Sequence, residues 1–237
     1  YSNVRINTNR FKTWSVRAGY NNWGDKQTGQ YLTSAVGYLF NTAKLGDLFY
    51  LAGTSSTTGK YKNISGYYSF PVGYWNYGFF YSKSDSRQTV PLSYFSLNYA
   101  GKSEYWSAKA TRTVYRDKNK KIAANAEFIR RTSGYTIDGE ELLLQNRDMG
   151  NVKFGLNYTQ QFTDAYLDAT VSWQRFLTWF GGEQTPDRRY GDVSPISQLF
   201  NVQASYTQQF TNSYYNGVFF AQYAPRQLTL QDQVTVG

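Results

Sequence analysis

The sequence predicts an all-β fold: an antiparallel transmembrane β-barrel, with about eleven strands of a larger barrel in this chain. Three observations carry the expectation. Apolar and polar residues alternate with period two along successive segments, which gives each strand two unlike faces. Aromatic residues reach 19% of the chain, 23 of them Tyr, while charged residues fall to 17%. The hexapeptide YTQQFT is spelled twice, at Tyr158–Thr163 and at Tyr206–Thr211, and each copy sits at the same point of a strand–turn–strand unit.

The strands follow in order. The first is expected over Thr13–Asn22, where Trp14, Val16, Ala18 and Tyr20 share a face and Arg17 takes the other. The Gly-bearing WGDKQTG turns the chain. A second strand runs over Gln30–Phe40, a third over Asp47–Ser56 and a fourth over Tyr61–Phe70, with Ile64, Tyr68 and Phe70 in phase. In PVGY, Pro71 and Gly73 set a tight turn. Trp75, Tyr77, Phe79 and Tyr81 then form an aromatic stripe on a fifth strand, Trp75–Lys83.

Ser84–Lys102 reads as a long loop with a strand-like piece, LSYFSLNYA, that extends the sheet beyond the membrane. The sixth strand, Glu104–Tyr115, alternates poorly. Ala108, Ala110 and Arg112 share one face and Lys109 and Thr111 the other, so its lipid side stays open. The seventh, Ile122–Thr132, puts Ile122, Ala124, Ala126 and Phe128 outward and Asn125, Glu127 and Arg131 inward. A loop with YTIDGEE follows, in which Glu140 and Glu141 read as solvated charges.

The last four strands are the repeat. Phe154, Leu156 and Tyr158 overlie Val202, Ala204 and Tyr206; Leu167, Ala169, Val171 and Trp173 overlie Tyr215, Gly217, Phe219 and Ala221. Asn216 therefore falls inside a strand, like Asp168, although Tyr215–Gly217 spells a hairpin-turn signal. Short turns (FTDA, FTNS) alternate with a long connection, the layout of an outer-membrane barrel with short periplasmic turns and long external loops. Tyr158, Phe162, Tyr206, Phe210 and Trp75 are expected at the membrane interface, where aromatic rings collect. A soluble β-sandwich would also alternate, but would not need so many rings on the face without a core partner.

Composition narrows the chemistry. With no His and no Cys, the chain has no imidazole base, no Ser-His-Asp or Cys-His pair and no thiolate metal site. No cofactor, metal or catalytic residue is expected. Net charge is +9 and mean hydropathy −0.61. The basic run Arg116–Lys121 reads as a solvated turn, and aromatics that recur at strand period favour lipid over nucleic-acid stacking. No run of about 18 apolar residues marks a membrane-spanning helix. The polar start at Tyr1 has no signal-peptide pattern, as in a mature or partial chain. Eleven strands are an odd number, and an open edge in lipid leaves backbone groups unsatisfied at several kcal/mol each. Residues 1–237 are therefore expected to be a partial barrel domain, completed beyond Gly237 or by another chain.

Several stretches resemble a known family: NNWGDKQTGQY (Asn21–Tyr31), YSFPVGYWNYGFFYS (Tyr68–Ser82), TRTVYRDKNKK (Thr111–Lys121), FIRRTSGYTIDGEELLLQNRD (Phe128–Asp148) and QYAPRQLTLQDQVTVG (Gln222–Gly237). In that order they are similar to the outer-membrane transporters of two-partner secretion, which include haemolysin, filamentous-haemagglutinin and contact-dependent-inhibition transporters. The resemblance implies a barrel of about 16 strands, periplasmic domains and a plug helix ahead of it, and a signature Arg loop starting near VTVG. It further implies a pore that passes an unfolded secreted adhesin, haemolysin or toxin to the cell surface. Outer-membrane lipid and lipopolysaccharide would be the other partners, with no nucleic acid.

On that reading the alternation assigns the lumen lining to Arg17, Asn125, Glu127, Arg131, Lys153, Asn157, Asp168, Gln174, Asn201, Gln203 and Asn216. They would offer polar and charged contact to a passing backbone and to water, or pair with one another across strands. A passive diffusion porin, a barrel enzyme and an outer-membrane insertase are the rival functions.

Overall fold

The computed structural model describes residues 13–143, 145–178 and 198–225. They form one antiparallel sheet of twelve strands: β1 (Trp14–Asn21), β2 (Leu32–Phe40), β3 (Leu48–Ser56), β4 (Tyr61–Val72), β5 (Trp75–Pro91), β6 (Ser96–Arg116), β7 (Lys120–Ile137), β8 (Glu140–Glu141), β9 (Arg147–Gln161), β10 (Ala165–Leu177), β11 (Gln198–Gln209) and β12 (Tyr214–Tyr223). Each strand pairs with its sequence neighbours, except that β7 pairs with both β8 and β9. Eleven strands make the continuous ladder and β8 is a small addition at its side. Among the described residues β1 and β12 do not pair, so the sheet is an open part of a barrel.

The repeat is exact in register. Tyr158 pairs with Ala169 in one hairpin and Tyr206 with Gly217 in the other. Asn216 lies within β12 opposite Thr207, so the hairpin-turn spelling there is overridden by strand pairing. The turns close alike: the Phe162 amide donates to the Ala165 carbonyl, and the Phe210 amide to that of Ser213. Tyr158 donates its hydroxyl to Gln160 and Tyr206 does the same to Gln208. The YTQQF spelling thus builds the same side-chain contact twice.

Two expectations are corrected. Ser84–Lys102 is not a long loop: β5 runs on to Pro91, residues 92–95 turn, and β6 starts at Ser96. β7 likewise continues to Ile137 and then turns through Asp138 (φ 48) and Gly139 (φ 91) into β8. Both turn residues have positive φ, as a two-residue hairpin of the Asp-Gly type requires. β5, β6 and β7 have 17, 21 and 18 residues, well beyond the roughly 9–11 that cross a bilayer. Their upper parts project past the membrane, where both faces are wet and alternation disappears. Asn98 anchors this extension. Its backbone and side-chain N–H groups donate to the Asp138 carboxylate at 2.9 and 3.2 Å.

The lower ends are short turns. Residues 73–74 join β4 to β5, with Gly73 at φ 59, and residues 117–119 join β6 to β7. Asp117 organises the second turn. Its carboxylate accepts from the Asn119 and Lys120 amides at 2.8 and 2.7 Å and from the Tyr115 hydroxyl at 2.8 Å. The Asn119 amide, then the Tyr115 hydroxyl and the Lys120 amide, hold the carboxyl below its usual range. The turn's stabilisation is therefore present above the unfolded carboxyl's pKa and lost as pH falls through the lower folded value. The Asn119 and Lys120 amide NMR shifts should titrate with a midpoint below the ordinary Asp value of about 3.9. A midpoint at the ordinary value would remove Asp117 from this role.

Candidate functional site

Register separates two faces. One carries Trp14, Val16, Tyr20, Leu51, Phe79, Leu156, Val171, Val202 and Phe219. Trp14 is 62% exposed, Phe79 50%, Val171 54% and Val202 38%. Large apolar side chains left open in this number, in continuous rows across the sheet, need an apolar solvent. This is the lipid face. Rings stand high on this face where Trp106 packs on Phe128 at 5.1 Å, and lower on it Phe154 stacks on Trp173 at 5.9 Å. Trp75, Tyr158 and Tyr206 lie on the same face close to the short lower turns, with Phe162 and Phe210 in the turns themselves.

The sixth strand's open question is resolved by pairing. Ala108 and Ala110 stand opposite Phe79 and Tyr77, so they belong to the lipid face. Arg112 stands opposite Trp75 at the lower edge, with its guanidinium 5.4 Å from the ring centroid. There the cation stays wet while its face meets the indole.

The opposite face is polar. Its middle row runs Lys109 (β6), Glu127 (β7), Lys153 (β9), Gln174 (β10), each directly opposite the next. The row below runs Thr111, Asn125, Gly155, Ser172, Asn201. Asn157, Asp168, Gln203 and Asn216 share this face on β9–β12, Arg131 on β7 and Arg17 on β1. The eleven expected residues are thus brought to one side of the sheet, spread over its width rather than gathered at a point.

Their contacts differ. Asn157 donates its side-chain amide to Asp168 at 3.2 and 3.3 Å and to Thr170 at 3.0 Å, so this pair is bound into the wall. Glu127 lies between two lysines in register yet forms an ion pair with neither Lys109 nor Lys153. Among the described residues the one ion pair is Arg130–Asp148, on the other face. Asn151 is fully buried, and among the described residues neither of its side-chain polar atoms, nor the Gln174 amide nitrogen, nor the Asn201 carbonyl oxygen has a hydrogen-bond partner.

Alternation alone missed an aromatic ladder on the polar face. Tyr38, Tyr50 and Tyr67 contact one another at centroid spacings of 5.8 and 5.7 Å, and Phe80 meets Tyr105 edge-on at 5.7 Å. Tyr67 and Phe80 are register partners, so the rings cross five strands at nearly one level. The Arg131 guanidinium ends the ladder, 5.8 Å from the Tyr105 centroid. Gly78 makes room for it: a Cβ there would lie 3.1 Å from the Tyr67 hydroxyl. The signal was the phase of these rings, which is out of step with Leu39, Phe49 and Tyr68 on the same strands. Aromatic pairs of this kind are each worth about 0.5–1.5 kcal/mol. Tyr67→Ala removes the central ring and should lower the midpoint of heat-induced barrel opening on gels, while Tyr67→Phe should not. Equal midpoints for Tyr67→Ala and the parent would show that the ladder adds nothing to stability.

A family model described as haemolysin secretion/activation protein ShlB/FhaC/HecB matches residues 1–237. The outer membrane transporter CdiB of Dickeya dadantii is 26% identical over 242 residues, covering 100% of this chain and 43% of its own length. The outer membrane transporter CdiB-2 of Burkholderia pseudomallei is 23% identical over 247 residues, again covering 100% of this chain and 42% of its own. Among solved structures, CdiB from Escherichia coli shares the fold. Its TM-score is 0.86 at 22% identity, over 93% of this chain and 42% of that one. The chain spans less than half the length of each of these relatives.

Proposed function

The chain belongs to the haemolysin secretion/activation family ShlB/FhaC/HecB, and from that premise we propose that it forms part of an outer-membrane pore passing an unfolded secreted protein to the cell surface. The polar face is the lumen wall. The observation that carries the reading is the row Lys109–Glu127–Lys153, where charges stand opposite one another without closing into ion pairs. Charges left open in a water-filled lumen are free to meet a moving polypeptide of either sign, whereas a wall sealed by ion pairs would only stiffen the barrel. Arg17, Gln203 and Asn216, all exposed, extend that contact surface around the sheet. Asn157 and Asp168 hold the wall's geometry. The cargo is an adhesin, haemolysin or contact-dependent toxin, and the outer partners are membrane lipid and lipopolysaccharide. The reading is of a conduit and not an enzyme, in keeping with a chain that has no His or Cys.

The test uses the full-length transporter with Lys153→Gln and Asp168→Asn, measuring secreted partner and single-channel conductance. Cross-strand charge contacts are worth about 0.2–1 kcal/mol, so secretion should fall by up to about fivefold and conductance should shift with it. Wild-type values in both assays would drop these residues from the lumen wall. A conductance shift with unchanged secretion would leave these residues in the lumen but out of contact with the cargo, and a parent transporter that secretes no partner would favour a passive porin.

A further inference from the structure

Immediately above the upper ring of aromatics, the lipid face changes character. Lys62 on β4, Asp85 on β5 and Lys102 on β6 stand in one cross-strand row, and Ile64, Lys83 and Glu104 stand in the row beneath it. One pair lower, Tyr81 faces Trp106. The basic patch therefore begins two residues above the aromatic limit with Lys83 and reaches four with Lys62 and Lys102, about 7 to 14 Å at strand spacing. Farther round, Arg130 stands opposite Trp106 and Arg175 opposite Val152, again at the top of the apolar band.

These cations are not spent on the protein. Lys62, Lys83 and Lys102 are exposed, and among the described residues they make no side-chain hydrogen bond or ion pair, although Lys83 faces Glu104 and Lys102 faces Asp85. Arg130, by contrast, is neutralised by Asp148 through bonds of 3.2 and 2.8 Å. Unpaired lysines that point outward at the level where hydrocarbon gives way to headgroups have one solvent that offers fixed counter-charge, the headgroup layer itself. Lys is a compact donor with three N–H groups and takes phosphate oxygens as a point charge.

We propose that Lys62, Lys83 and Lys102 form a docking patch for the phosphate groups of an outer-leaflet glycolipid. The apolar rows below them receive its acyl chains, with Tyr81 and Trp106 at the boundary. Asp85 and Glu104 stand between the lysines in these rows without closing on them, so all three ammonium groups stay free to meet phosphate. The patch rests on the membrane placement of the sheet and not on the transport reading.

The experiment uses full-length protein purified in a non-ionic detergent and titrated with lipopolysaccharide, and separately with the same lipid after enzymatic dephosphorylation. The triple variant Lys62→Gln, Lys83→Gln, Lys102→Gln should bind the phosphorylated lipid at least roughly tenfold more weakly than the parent. Lys44→Gln, in the lower turn between β2 and β3, should bind as the parent does, and triple Lys→Arg replacement should restore affinity. Equal affinity of the parent and the triple Gln variant, or equal affinity for phosphorylated and dephosphorylated lipid, overturns the patch. Partner secretion measured on the same variants reports the transport reading separately, since it can fail while lipid binding follows the expected order. If inorganic phosphate alone competes at the affinity of the lipid, the patch is a free-anion site and the lipid assignment is overturned.

Discussion

Val202→Lys is expected to abolish stable insertion, whereas Gln203→Lys, one residue along the same strand, leaves it intact. Val202 stands between Val171 and Ala221 in the middle of the lipid face. A lysine at the bilayer midplane of a barrel costs about 2–4 kcal/mol, and here there is no carboxylate in the neighbouring rows to receive it. Gln203 is exposed on the opposite face, opposite Thr170 and Phe220, where water accepts the ammonium. Folding into phosphatidylcholine vesicles, followed by the shift between folded and heat-denatured bands on a gel, measures the contrast. Similar folded fractions for the two variants would mean that the faces have been assigned the wrong way round, or that the sheet does not lie in lipid.

The second large effect concerns Gly24, in the connection between β1 and β2. A Cβ at this position would come within 2.2 Å of the Gly29 carbonyl oxygen and 2.9 Å of that of Gln30. Both are backbone atoms, so neither can rotate aside. The connection is tied at three points: the Gly24 amide to the Gln30 carbonyl at 2.9 Å, the Gly29 amide to the Asp25 carbonyl at 2.8 Å, and the Thr58 hydroxyl to the Thr28 carbonyl at 2.8 Å. Gly24→Ala must open the first of these and loosen the other two. With hydrogen bonds worth about 0.5–1.5 kcal/mol each, the connection should lose roughly 1–3 kcal/mol of local stability, while the barrel below stays folded. Hydrogen exchange at residues 24–30 should accelerate by a factor of about ten or more. Exchange that matches the parent would show that the connection adapts to the methyl group. Gly29, at φ 121 against Ser56 and Thr58, should tolerate substitution no better.

How much of this was written in the chain depends on the solvent on each side of each strand. Where one face meets lipid and the other water, the pattern is legible in every strand but β6, whose Ala108, Lys109 and Ala110 alternate too weakly. The duplicated YTQQF hairpins were aligned with the register that the structure shows, and Asn216 was kept in its strand against a strong turn signal. Where both sides are wet, as in β5 above Lys83 and β6 below Glu104 in sequence, no side chain is under pressure to be apolar. Strand and loop then look the same in sequence, so the hairpin carries no strand signal there. The polar face was legible through its charged and amide members, from Arg17 to Asn216. Its rings were not, because Tyr38, Tyr50 and Tyr67 occur among lipid-facing aromatics and only pairing reveals their phase. The family's signature stretch near VTVG lies outside the described residues.

The long β5–β6 hairpin ends in a tip that is unusual for its openness: Tyr94 is 99% exposed and Phe95 61%. Its closing bond, from the Leu92 amide to the Phe95 carbonyl, is the last tether before bulk water. A peptide spliced at Ser93 would be held away from the membrane by strands paired up to Pro91 and Ser96, so antibodies added to intact cells should label it without permeabilisation.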